Sequence, residues 1–191
     1  RFCLKKDGDI CWVARSSPVC LAISSSDCAP VAVALNAEFH LTSENGQRIT
    51  AAEEFYLNDG ISFLNKTPDE LLVSIRIPSH EGWLMSYKKL RKRDSIDFPV
   101  LSVATAVHLD KAGVCKNARI VLGAVASSPQ RALQAETLLK GEKPNAKLIE
   151  TSAIAAAKLA KPMDNTDMTL GYRKKMAAHF VKEAINEALG Q

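Results

Sequence analysis

Apolar positions recur at two distinct periods along this chain, and the periods divide it into strands and helices. Between residues 70 and 78, Leu72, Ser74 and Arg76 alternate with Val73, Ile75 and Ile77 until Pro78, which cannot donate to a ladder, ends the run. This predicts a half-buried strand over 72–77. Three further strands are expected over 86–92, 101–110 and 116–126, with turns at Asp94-Ser95-Ile96-Asp97 and Lys111-Ala112-Gly113. The period of two puts Tyr87 and Lys88 on opposite faces. Upstream, Glu44-Asn45-Gly46 joins 38–42 to 47–50 as a hairpin, and 51–56 reads as a short helical turn before Asn58-Asp59-Gly60.

The helical period governs the rest. Asp27 is placed to cap a helix over 29–35, with Pro30 tolerated in its first turn. Pro129 opens a helix running to about residue 140, which Gly141 and Pro144 stop. An alanine-rich helix follows over 147–160. Met176, Phe180, Val181, Ala184, Ile185 and Leu189 then mark one apolar stripe on a last helix, and a stripe of this kind is core. The expected fold class is α+β: a mixed or antiparallel sheet with helices, then a three-stranded antiparallel sheet with a helical bundle. A division into domains 1–82 and 83–191 is expected, near Gly82-Trp83.

Composition narrows the function classes. A chain of 191 residues with 47% hydrophobic content can bury a substantial core, and its net charge is only +4. The one concentrated basic run is residues 88–93, and no aromatic residue beyond Tyr87 interleaves it for base stacking, which argues against nucleic acid. No apolar run approaches a membrane span, and no basic-then-apolar leader is present. A soluble, cytoplasmic protein is expected.

Independent catalytic machinery is not legible. His40, His80, His108 and His179 stand alone, and there is no Gly-x-Ser-x-Gly elbow, so no catalytic residue is assigned. Four of the five cysteines, Cys3, Cys11, Cys20 and Cys28, lie within the first 28 residues, in a stretch without periodic pattern. Their spacing is not Cys-x-x-Cys. It leaves zinc, an iron–sulfur cluster and disulfides open.

Five segments carry a resemblance in order: Ser26-Asp27-Cys28-Ala29-Pro30 with its alanine-rich helix, Glu70-Leu71-Leu72, the Tyr87-Lys88 strand with its Arg/Lys-rich tail, the strand over 118–126, and Tyr172-Arg173-Lys174-Lys175-Met176. Together they resemble the FAD-binding medium subunit of the molybdenum hydroxylases, the family of xanthine and carbon monoxide dehydrogenases and of 4-hydroxybenzoyl-CoA reductase. The resemblance implies an electron-transfer flavoprotein subunit of an oxidoreductase complex. Its partners would be a molybdopterin-binding large subunit and a small subunit carrying 2Fe–2S clusters.

By the same resemblance Asp27 would hydrogen-bond FAD, Leu72 would pack on it and Lys88 would place a cation beside the flavin. The cysteine loop is similar to that of the 4-hydroxybenzoyl-CoA reductase type, which implies Cys3, Cys11 and Cys20 as three ligands of an extra 4Fe–4S cluster, with the fourth upstream and Cys28 a structural thiol. The family's glycine-rich loop for the FAD pyrophosphate has no counterpart here, neither Gly-x-Gly-x-x-Gly nor a P-loop. Arg1 reads as mid-sequence, so this is expected to be the C-terminal portion of a longer subunit that holds FAD only weakly alone. The competing reading is a cofactor-free docking module.

Overall fold

The computed structural model describes residues 3–164 and 166–191. Helix α1 (Cys28–Ala34) precedes the hairpin β1 (Glu38–Ser43) and β2 (Gly46–Ala51), whose two-residue turn leaves Gly46 at φ 130°. The short α2 (Ala52–Phe55) and the strand β3 (Leu71–Arg76) follow, and β3 pairs antiparallel with β1 to complete a sheet of order β2-β1-β3. A second antiparallel sheet runs β4 (Trp83–Leu90), β5 (Leu101–Leu109), β6 (Cys115–Gly123) and β7 (Gln130–Arg131) in that order. Helices α3 (Leu133–Leu139), α4 (Ala146–Ala157) and α5 (Leu170–Ala188) close the chain.

The α+β class and the antiparallel sheets are those expected from the sequence. One boundary moves: the chain after Pro129 first pairs with β6 through Val121–Arg131 and Leu122–Gln130, adding a fourth, two-residue strand, so the helix starts at Leu133 rather than Pro129. Arg131 is then clamped by the Glu136 carboxylate, which also accepts the N–H of Ile120 at 3.0 Å. That carboxylate ties the first turn of α3 to the sheet.

Alternation along β5 and β6 sorts side chains onto two faces of the second sheet, and both faces are covered. Leu101, Val103, Val107, Ile120 and Leu122 meet the α3–α5 layer, where Leu139, Ile149, Ala153, Ala177, Val181 and Ile185 are buried. The apolar stripe read on the last helix is therefore core. Ala104 and Val121 face the other way, onto a second cluster built by Val33, Ala34, Phe39, Leu41 and Phe55, with Tyr87 against it. Helix α1 is thus the spacer between the sheets. At Gly123 any Cβ would strike Ser102 Oγ at 2.3 Å and Pro30 Cγ at 3.0 Å, so glycine is what lets α1 lie this close.

The expectation of a half-buried strand over 72–77 is only partly met. A strand forms, but all six residues of β3 are exposed, with Leu71, Val73 and Ile75 each more than half so. β3 lies at the edge of its sheet. The register to β1 also slips between His40 and Leu41, which interrupts the alternation that a covering layer would need.

Candidate functional site

The chain reaches α1 through Ser24-Ser25-Ser26, and this approach forms one wall of an open cleft of about 410 Å3. Tyr56, Phe63, Leu64 and Phe98 supply apolar and aromatic surface opposite the three serines, and Lys5 is the one basic residue in the lining. A second cleft of about 430 Å3 adjoins it, sharing Ser25 and Phe98 and adding Arg93, Asp97, Thr166 and Asp167. Backbone contacts fix the wall: Ser24 N–H donates to Ala126 O at 3.1 Å.

Asp27 follows this wall but does not cap α1. Its backbone is already helical, with φ −73° and ψ −41°, and no side-chain cap bond comes from it; Ser26 Oγ accepts the N–H of Ala29 at 3.1 Å instead. The cap expected of Asp27 belongs to its neighbour because a capping side chain needs a non-helical residue to project from. The freed carboxylate turns to β4, where it accepts the Tyr87 hydroxyl at 2.7 Å and Lys89 Nζ at 2.8 Å. Burial pushes the Asp27 carboxyl up, but the bonds from Lys89 and Tyr87 outweigh it and the group lies below the usual carboxylate range. Tyr87 moves the opposite way: burial, then the Asp27 anion, push its hydroxyl well above the ordinary phenol, so it remains a donor. The result is a charge-balanced cluster of carboxylate, phenol and ammonium beside the cleft.

The three residues assigned by resemblance are not brought together. Leu72 sits on exposed β3 opposite Leu41, and it does not line the cleft. Lys88 points to the other face of β4, toward α5, where its ammonium pairs with Glu187 at 3.1 Å. Tyr87 and Lys88 do face opposite ways, as the period required. That same period carries the signal that was missed: Lys89, two residues after Tyr87, shares its face and is the lysine that reaches Asp27. Tyr56, Phe63 and Phe98 come from loops, where no periodicity marks them.

The basic run after β4 folds into a turn around one carboxylate. Asp97 accepts the backbone N–H groups of Lys92 and Arg93, each at 2.9 Å, and pairs with the Arg93 guanidinium at 3.1 Å. These bonds, the one from the Arg93 N–H foremost, lower its carboxyl to about 2.

Among the described residues no three His, Cys, Asp or Glu side chains converge to hold a metal ion, so Cys3, Cys11 and Cys20 do not assemble the ligand set implied by resemblance. Two of the thiols are packed separately. Cys20 lies against Gly60, where an added Cβ would come within 3.0 Å of its sulfur, and its carbonyl accepts the Gly60 N–H at 2.8 Å. Cys11 is buried, which pushes its thiol up, but hydrogen bonds from the backbone of Leu21, Val13 and Ala14 bring it below the usual value. All five cysteines are free.

FAD fits this surface in part. A cleft of this volume, with aromatic residues facing hydroxyls and backbone, suits a planar ring system with a polar edge. With Lys5 the one cation in the lining, the donor set suits the flavin end rather than the pyrophosphate.

Comparison with known proteins agrees. A family described as the CO dehydrogenase flavoprotein C-terminal domain matches residues 85–188, and one described as the FAD binding domain in molybdopterin dehydrogenase matches residues 14–80. The carbon monoxide dehydrogenase medium chain of Afipia carboxidovorans is 30% identical over 155 residues, covering 81% of this chain and 52% of its own length. The glyceraldehyde dehydrogenase medium chain of Sulfolobus acidocaldarius is 29% identical over 163 residues, 85% of this chain and 57% of its own. Among solved structures, carbon monoxide dehydrogenase from Hydrogenophaga pseudoflava superposes with a TM-score of 0.80 at 29% identity, covering 87% of this chain and 57% of that one. The chain therefore spans about half the length of these relatives. It belongs to the family of FAD-binding medium subunits of molybdenum hydroxylases, the group that includes the carbon monoxide dehydrogenase flavoproteins.

Proposed function

We propose that this chain forms the flavin end of an FAD site in an electron-transfer subunit, and that it works in a complex with a molybdopterin-binding large subunit and a 2Fe–2S small subunit. The observation that carries the reading is the cleft of about 410 Å3 between Ser24–Ser26 and the aromatic residues Tyr56, Phe63 and Phe98, beside the Asp27–Tyr87–Lys89 cluster. Family membership supplies the cofactor class. Bound FAD would provide the redox centre that exchanges electrons with the partner's clusters and an external carrier.

The residues of the chain then orient and tune. The three serines present hydroxyls to the polar edge of a ring, Asp27 would meet that edge from just beyond the lining, and Phe98 offers an exposed aromatic face. Lys89 holds the Asp27 carboxylate ionised, and Tyr87 keeps its proton on the hydroxyl oxygen. Leu72 and Lys88 enter this proposal as outer contacts, Leu72 from the exposed face of β3 and Lys88 through a cation that must exchange its bond with Glu187 to reach a ligand. We infer a domain boundary at 82/83, supported by family matches that end at 80 and resume at 85. No helix among the described residues is long and apolar enough to cross a membrane. A cytoplasmic location is in keeping with five free thiols.

A 4Fe–4S cluster on Cys3, Cys11 and Cys20 is a separate proposal, favoured by the ring of N–H donors around Cys11, an environment that suits a thiolate ligand. It requires the loop to rearrange. Iron in the anaerobically prepared complete subunit, lost in Cys3→Ala, Cys11→Ala and Cys20→Ala but kept in Cys28→Ala, tests it.

The flavin reading is tested by cofactor content. The complete subunit is expected to purify yellow, and residues 1–191 alone to lose FAD in gel filtration. Asp27→Ala should lower the affinity of the complete subunit by about tenfold or more, the loss expected for a hydrogen bond to a charged group. A complete subunit that takes up no flavin supports a cofactor-free docking module and overturns the proposal.

A further inference from the structure

Arg173, in the Tyr172–Met176 stretch near the start of α5, heads the fully buried side chains by size at 0% exposure. Among the described residues no carboxylate pairs with it. Its guanidinium donates instead to three main-chain oxygens: Nη2 to Ala124 O at 2.8 Å, Nη1 to Met163 O at 3.2 Å and Nε to Val100 O at 3.3 Å. An arginine cannot shed its charge, and a buried cation without a counter-ion is costly to hold. A structural tie between three carbonyls would be served at less cost by neutral donors. The charge itself calls for an explanation.

The three carbonyls belong to the segments that shape the clefts. Val100 lines the cleft that Arg93 and Asp97 share with Phe98. Met163 lines a third cleft of about 260 Å3, together with Val125, Ala126 and Ser127, which directly follow Ala124. Ser127 also lines the serine and aromatic cleft, and Ala126 O holds the Ser24 N–H. Ala124 adopts a left-handed φ of 60°, a conformation disfavoured for a residue with a Cβ, and the 2.8 Å bond from Arg173 is attached to that residue's own carbonyl. One side chain therefore bonds residues that line two of the clefts, Val100 and Met163, and is joined to the serine and aromatic cleft through the run from Ala124 to Ser127.

We propose that Arg173 is a positioning residue for the cofactor cleft: it fixes the segments at Val100, Ala124 and Met163, the second of which runs on to Ser127 in the wall of that cleft, and its charge, which no carboxylate among the described residues pairs, sets a positive potential behind them that favours the reduced, more anionic form of the cofactor. The second half rests on the FAD reading above; the first does not. The field persists because buried surroundings screen it less than water does.

The test compares wild type, Arg173→Lys and Arg173→Gln in the complete subunit by amide hydrogen exchange, FAD titration and flavin midpoint potential. Arg173→Gln is expected to speed exchange together around residues 98–100, 124–127 and 163–164 while β1 and β2 keep their protection. Its FAD affinity should fall as the segments it ties loosen, and its midpoint potential should move to more negative values. Arg173→Lys, which keeps the charge with fewer donors, should restore the potential but not the exchange protection; it carries the same readouts if the Gln variant does not fold. Unchanged exchange in the three segments overturns the positioning role. A potential that Lys and Gln shift equally overturns the role of the charge. A wild-type subunit without FAD sinks the cofactor reading alone, and the exchange data then decide the wall-fixing role by themselves.

Discussion

Strands β3 and β5 carry similar runs of β-branched and aliphatic residues, yet their fates in the fold are opposite. Residues 101–107 of β5 are all buried, between the α3–α5 layer on one face and α1 on the other. The six residues of β3 are all exposed. The difference does not lie in the strands. β5 is the second strand of a four-stranded sheet with helices against it, whereas β3 is an edge strand with a register slip. A hydrophobic pattern specifies that a strand will form and which positions share a face; the covering layer decides whether that face is buried.

The largest effect expected from this contrast is a pair of isoleucine truncations. Ile120→Ala, at a fully buried position against the helical layer, should cost about 2–5 kcal/mol in denaturant unfolding, the range for emptying a packed core site. Ile75→Ala, at a position 53% exposed, should stay within about 0.5 kcal/mol. A large loss at Ile75 would mean that something covers β3 in solution, and the contrast would fail. Val73→Lys should also reduce self-association in light scattering, because an exposed apolar edge strand is a template for pairing.

Next in size is the acid response, where each region has one strongly held carboxylate. Glu70, just before β3, receives the Arg48 guanidinium in two bonds and the Thr67 N–H at 2.8 Å, and with Arg48 as the main cause its carboxyl is lowered from 4.5 to about 2. Asp97, after β4, is lowered from 3.8 to about 2. A carboxyl depressed by folding adds stability above its unfolded value, and that stability drains as pH falls through the folded value. Both contributions should therefore be whole above about pH 4.5 and gone near pH 2. Thermal midpoints measured across that window should flatten in Glu70→Gln and, from a slightly lower starting pH, in Asp97→Asn. A wild-type slope that neither substitution reduces would show that other groups govern acid unfolding.

Much of the fold was legible because its strands and helices follow period. The β1–β2 hairpin, the three long strands β4–β6 and the buried stripe of α5 lie where the pattern puts them. β7 was not legible, since two residues after a proline carry no periodic signal and pair only because β6 offers an open edge. Contacts around the cleft were less legible than the elements. Asp27 stands where a helix cap is expected, but the cap passes to Ser26, a distinction that rests on one residue's φ and ψ rather than on its chemistry. The period of two separates Lys88, which pairs with Glu187, from Lys89, which meets Asp27. The cysteine spacing could not reveal that Cys20 is packed against Gly60, forty residues away in sequence.

The smallest of these effects separates stability from binding at adjacent residues. Ser26→Ala removes the bond to the Ala29 N–H and should cost about 1 kcal/mol, the usual value of an N-cap hydroxyl, with α1 fraying first in hydrogen exchange. Asp27→Asn keeps a hydrogen-bonding side chain and gives up only a partly exposed ion pair with Lys89, so its cost in stability should stay below about 1 kcal/mol. FAD affinity should rank the two variants the other way round. Burial works against the carboxylate, which stays ionised because Lys89 and Tyr87 hold it, and an uncharged amide offers neither the same acceptor strength nor the same potential to a ligand at the cleft. If Ser26→Ala weakens FAD more than Asp27→Asn does, the helix end rather than the Asp27–Tyr87–Lys89 cluster is what the cofactor meets.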